Sequence, residues 1–242
     1  STAFETAAGA TWFGYERMSG ILVEELLVGP EISVETATAG GATKILAVTR
    51  KQTGFAPLFM ETGHTVNAGD PLADEEGEVA RVTRAAIAAL DVTEGVCHVE
   101  LILTSSGPAV VEVNGRLAGD LIPYLVDLAR GCDPCLVAAQ VAVGDEPDGP
   151  RRQDGAAAIA FIHPPVTGKL DEFRFTPPAD SETWLRRVDQ LTSPGSEVTL
   201  PPDGYPSRIG FAVVTGADQA QCAQRLDACL AAAVVTVSPS EV

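Results

Sequence analysis

From Gly95 to Asn114 the chain alternates apolar and polar side chains with a period of two, the pattern of strands that bury one face. Cys97, Val99, Leu101 and Leu103 fall on one side, and His98 and Glu100 on the other. A second run sets Ala109, Val111 and Val113 against Glu112 and Asn114. Ser105, Ser106 and Gly107 read as a three-residue hairpin loop. That loop pairs Thr104 with Pro108, Glu100 with Glu112 and His98 with Asn114. A two-residue loop would instead turn Glu112 in among the apolar groups.

The rest of the chain sorts by the same two periodicities. "EISVETATA", "ATKILAVTR" and "FAPLFMETGHTV" read as an antiparallel meander with turns at Gly40-Gly41 and Lys51–Gly54. "ILVEELLV" (21–28) is a strand or a strand-to-hinge segment closed by Gly29-Pro30, and residues 1–18 read as a helix. Helical spacing of Val79, Val82, Ala86, Ile87 and Leu90 predicts a helix within 71–92. Two more are predicted at 119–130 and 133–143. The breaker-rich "GDEPDGPRRQDG" (144–155) is the best internal boundary, dividing 1–145 from a smaller part, 146–242. Beyond it "AAIAFIHPP" and "RIGFAVVTG" read as strands and "ADQAQCAQRLDACLAAA" as an amphipathic helix. Hairpin-connected strands interspersed with helices predict an α+β fold, mainly antiparallel sheet flanked by helices, with a small C-terminal α+β subdomain.

Charge and cysteine content narrow the function. A formal charge of −17 provides no basic surface for phosphate backbones, which argues against nucleic-acid binding. No apolar run is long enough for a membrane-spanning helix. Five cysteines, mostly at apolar positions of predicted strands and helices, suit a reduced, cytoplasmic protein. "CDPC" (132–135) has redox or zinc spacing but lacks a second pair, and reads as structural. Lys51, in "TRKQTG", reads as a solvated turn residue.

Two opposed carboxylates repel, and partial burial makes ionising both costlier. A hard divalent cation such as magnesium would compensate, with Glu and Asn oxygens as ligands. Arg116, two residues beyond Asn114, adds a positive fork for an anion.

"HVEL…VVEVNGRLAGD" resembles the C-terminal catalytic segment of the ATP-grasp superfamily. The resemblance implies that Glu100, Glu112 and Asn114 hold magnesium bridging ATP phosphates, with Arg116 at the transferred phosphate. "LVEELLVGPEISVE" is similar to the family's adenine hinge, which implies Glu24 and the backbone of Glu25 and Leu27 at the adenine and Glu31 at the ribose. "FMETGHTVNA" resembles a segment of the carboxylate–amine ligases nearest the L-amino acid ligases, and places Glu61 and His64 by the metal and the acceptor substrate. The implied activity is ATP-dependent joining of a small carboxylate to an amine through an acyl phosphate, on amino acids or short peptides. A non-catalytic nucleotide-binding fragment and a carboxylase or purine-pathway member are the alternatives. The resemblance begins after the family's N-terminal domain and lid loop, so a complementary N-terminal chain or domain is an expected partner.

Overall fold

The computed structural model describes residues 11–12, 15–16, 23–152 and 154–239. Its strands are β1 (Thr11–Trp12), β2 (Tyr15–Glu16), β3 (Glu31–Ala39), β4 (Ala42–Gly54), β5 (Met60–Asn67), β6 (Gly95–Thr104) and β7 (Gly107–Asn114). They continue with β8 (Ala156–Ile162), β9 (Gly168–Phe175), β10 (Leu185–Gln190), β11 (Glu197–Val198), β12 (Gly210–Gly216) and β13 (Ala233–Pro239). The helices are α1 (Glu78–Ala89), α2 (Ile122–Arg130), α3 (Pro134–Val143) and α4 (Gln219–Ala231).

An eight-stranded antiparallel sheet in the order β10-β12-β8-β5-β4-β3-β6-β7 dominates the fold, with a three-stranded sheet, β11-β9-β13, beside it. The α+β architecture expected from the sequence is therefore present. Gly40 and Gly41, at φ +55° and +77°, form the tight turn between β3 and β4. Two consecutive left-handed residues are what such a hairpin turn needs. The sheet runs on without interruption across 144–155, because β8 inserts between β5 and β12.

Strand alternation assigns the helices to faces. Ala157, Ile159 and Phe161 pack with α2, whereas Ala156 and Ala158 pack with Cys222 and Cys229 of α4. Likewise α1 covers Ile32, Val34, Val99 and Leu101, and α3 lies across the sheet on Ala37 and Leu46. Thus α1 and α4 cover one face and α2 and α3 the other.

Several elements differ from the sequence reading. Residues 11–12 and 15–16, within the expected N-terminal helix, pair as two short antiparallel strands; the remainder of 1–18 lies outside the described residues. Residues 23–28 form no strand and are mostly exposed. The turn expected at Lys51–Gly54 is strand, because β4 continues to Gly54 and the reversal falls at 55–59. Leu90 caps α1 and is exposed rather than buried.

The hairpin β6–β7 reaches the expected pairing by another route. Its loop has two residues, since Thr104 pairs with Gly107 and Leu101 with Val110. A bulge between Glu100 and Leu101 then advances the register, so Glu100 faces Glu112 and His98 faces Asn114. Val111 is the extra residue, and it is exposed rather than part of the core. One unpaired residue reverses which side chains face the core. Without it Glu112 would lie on the apolar side.

Candidate active site on one sheet face

Directly opposed residues of an antiparallel pair share a face. Ser33 lies opposite Glu100, which lies opposite Glu112; Glu35 lies opposite His98, which lies opposite Asn114. On the other side Lys51 opposes His64, and His64 opposes Ile159. Register therefore gathers one polar floor, from β7 to β5, on the face that carries α2 and α3. Gly63 lets β5 approach β8 beside His64: a Cβ there would lie 2.5 Å from the Ile159 carbonyl oxygen.

Lys51 is the hub of this floor. Its side chain is 2% exposed, and its ammonium lies 2.8 Å from Glu31, 2.8 Å from Glu61 and 2.7 Å from Glu100. Burial disfavours its charge, but the bonds from Glu100, Glu31 and Glu61 outweigh that and raise its pKa. The solvated turn lysine of the sequence reading is thus a buried group bridging three strands. An alternating run, "ILAVTRKQ", was the available signal: continued past Arg50 it puts Lys51 on the same face as Ala47 and Thr49.

His98 extends the network. Nδ1 lies 2.8 Å from Glu35 Oε1 and Nε2 lies 3.0 Å from Glu100 Oε1. Ser33 Oγ donates to the same Glu35 oxygen at 2.9 Å. The His98 hydrogen bond, opposed by burial and aided by Lys51, lowers the Glu100 pKa to about 2. Burial alone would lower the His98 pKa, but the bonds to Glu100 and Glu35 raise it to about 9.

Beyond Lys51 a second cluster forms around Asp120, in the connection from β7 to α2. Arg208, just ahead of β12, forks onto its two oxygens at 2.7 and 2.9 Å, and His64 Nε2 lies 3.3 Å away. Burial disfavours the Asp120 carboxylate, but the His64 and Arg208 bonds prevail and hold its pKa below the usual range. The Arg208 guanidinium stacks over Phe161 at 3.6 Å, which fixes its plane. The sequence reading missed both residues, because only the return of β12 to β8 brings Arg208 to this face.

The other expected site residues are placed as follows. Glu112 is exposed and accepts from Asn114 Nδ2 at 2.6 Å. Arg116 is exposed and donates to the Leu117 carbonyl. Glu24 and Glu25 are exposed and Leu27 half-buried, in the irregular segment before β3. Glu31 belongs to the Lys51 cluster, and Glu61 joins Lys51 to the His64–Asp120 group at 3.7 Å from His64.

Two groups of donors invite a cation. Glu61, His64 and Asp120 offer ligand atoms within 4.8 Å of one another, with Lys51 2.8 Å from Glu61 and Arg208 2.7 Å from Asp120. Glu100, Glu112 and Asn114 offer hard oxygen donors, and each Glu100 oxygen keeps a lone pair beyond its bond to His98 or Lys51. The second set fits a divalent cation such as magnesium.

A carboxylate-rich antiparallel sheet with this hairpin defines a class, and comparison with known proteins agrees. Residues 8–124 match the ATP-grasp domain family, and residues 160–238 match the L-amino acid ligase C-terminal domain 2. These two matches give the chain an ATP-grasp domain followed by an L-amino acid ligase C-terminal domain. The uncharacterized protein y4rH of Sinorhizobium fredii is 29% identical over 194 residues, 80% of this chain and 39% of that protein. Carnosine synthase 1 of Homo sapiens is 30% identical over 135 residues, 55% of this chain and 16% of that protein. The L-amino acid ligase structure from Bacillus licheniformis superimposes with a TM-score of 0.76 at 21% identity, over 88% of this chain and 53% of that one. Phosphoribosylglycinamide synthetase from Anaerococcus prevotii gives 0.73 at 18% identity, over 88% and 55% respectively. The chain thus spans well under two thirds of these relatives.

Proposed function

We propose that this chain forms the nucleotide-phosphate, metal and substrate face of an ATP-dependent carboxylate–amine ligase acting on amino acids or short peptides. The observation that carries this reading is the shared face of Glu100, Glu112 and Asn114, next to Lys51 and opening onto Asp120 and Arg208. The match of 160–238 to an L-amino acid ligase domain favours a ligase over a carboxylase or purine-pathway role.

In this reading the substrate carboxylate attacks the γ-phosphorus of ATP, ADP leaves, and an acyl phosphate forms. The amine then attacks the acyl carbon, inorganic phosphate leaves, and the amine gives up a proton as the amide forms. Magnesium, when bound by Glu100, Glu112 and Asn114, would neutralise phosphate charge. Arg116, exposed and bonded to the Leu117 carbonyl, would meet the transferred phosphoryl group. Glu24, Glu25 and Leu27 would border the adenine. Glu31 would meet the ribose through Oε2, since Oε1 is engaged by Lys51. Asp120 and Glu61 suit an ammonium group, Arg208 a carboxylate, and His64 lies between them as an acceptor-side group. Positioning and charge stabilisation supply most of what phosphoryl transfer asks of a protein.

ADP release tests the proposal, measured with residues 1–242 alone and with an N-terminal ATP-grasp portion supplied in trans, over pairs of amino acids. Release that requires both a carboxylate and an amine, and that Glu112→Gln abolishes, is the expected result. Absence of such release in both formats would overturn it.

A further inference from the structure

We infer that His98 is a positioning residue for Glu100: an imidazole ring clamped between Glu35 and Glu100 that orients the Glu100 carboxylate as a metal ligand. The inference rests on the reading of Glu100, Glu112 and Asn114 as the cation site.

The geometry leaves little freedom. Both imidazole nitrogens face carboxylate oxygens, at 2.8 and 3.0 Å. The ring is therefore held at both ends, by Glu35 at Nδ1 and by Glu100 at Nε2. Glu35 is 4% exposed, and its polar partners are Ser33 and His98. A carboxylate buried this deeply is costly unless fully compensated, and it cannot reach a substrate itself. What it can do is fix the ring. The chain Ser33–Glu35–His98–Glu100 crosses from β3 to β6 on the site face, not on the core face that holds Val34, Val99 and Leu101.

Two donors then set the Glu100 carboxylate plane. His98 takes Oε1 and Lys51 takes Oε2 at 2.7 Å. Each bond leaves its oxygen a further lone pair, and strand register sets Glu112 opposite Glu100 and Asn114 opposite His98 on the same face. Partners of this kind, behind a ligand, govern its orientation, and their loss typically lowers metal affinity about 10–100-fold.

Mn2+ serves as the probe, its binding to residues 1–242 followed by electron paramagnetic resonance and by calorimetry without nucleotide. His98→Gln is expected to weaken binding about 10–100-fold. Glu35→Gln, which keeps an acceptor but removes the charge that holds the ring, is expected to weaken it in the same direction by less. Leu101→Ala is the structural control: it opens the opposite face of the same strand, and should lower the melting temperature without moving the Mn2+ affinity. If His98→Gln does not fold, Glu35→Gln against Leu101→Ala decides the matter. Parent-like Mn2+ affinity in both polar variants overturns the positioning role alone. Failure of the parent to bind Mn2+ at all removes the cation site, and with it this inference.

Discussion

At the residue scale, the protein's chemistry turns on ionisable side chains whose charge is held by neighbours rather than by water. Lys51, with three carboxylates around it, and His98, with two, are both groups whose charged form burial disfavours and the carboxylates restore. His98 makes this measurable. Its folded pKa of about 9 exceeds the ordinary 6.5, so its stabilising contribution is complete below about pH 6.5 and disappears as pH rises through 9. Glu100 acts oppositely: its folded value of about 2 lies below the ordinary 4.5, so its contribution is complete above about pH 4.5 and disappears as pH falls through 2. Thermal melts should therefore plateau between about pH 5 and 6.5 and decline toward pH 9. His98→Gln should flatten that alkaline decline. An unchanged decline in the variant would assign it to other groups.

At the element scale, periodicity finds helices and strands but not where they end. Both Ile87 and Leu90 fit the apolar stripe of α1, yet Ile87 is 1% exposed and Leu90 59%. The helix stops at Ala89, and Leu90 swings out as its cap. Ile87→Ala should cost about 2–5 kcal/mol in urea unfolding, as for a large-to-small change in a packed core. Leu90→Ala should change stability by no more than about 0.5 kcal/mol. Comparable losses from both would mean that the helix continues. The β6–β7 hairpin carries the same lesson. Its final pairing was legible in the alternation, but its two-residue loop and the Val111 bulge were not, because two irregularities of opposite effect leave one outcome.

At the scale of the whole molecule, the Asp120–Arg208 pair joins the connection after edge strand β7 to the segment ahead of β12, the neighbour of the opposite edge strand β10. Its side chains are 26% and 28% exposed, between a surface pair and a buried one. Arg208→Ala would leave Asp120 with His64 alone and uncover Phe161. We expect a loss of about 2 kcal/mol, above the surface-pair range and below that for breaking a buried pair. Asp120→Asn with Arg208→Ala should lose less than the sum of the single variants, by double-mutant cycle. Strict additivity would mean that the two residues do not cooperate. Among the described residues no helix is long and apolar enough to cross a membrane.

The sequence by itself determined the antiparallel character of the sheet, its four described helices and the facing of Glu100 and Glu112, because alternation and helical spacing are local properties. It also placed the acidic hairpin on a polar face, since its apolar neighbours left no other solution. Only the tertiary structure decided which distant groups meet there. Lys51 looked solvated beside Arg50 and Gln52, and became buried when β3, β5 and β6 each brought it a carboxylate. Arg208 became part of the site because β12 returns antiparallel to β8, 88 residues after Asp120. Electrostatic partners that far apart are set by strand order and register, which no stretch of local sequence encodes.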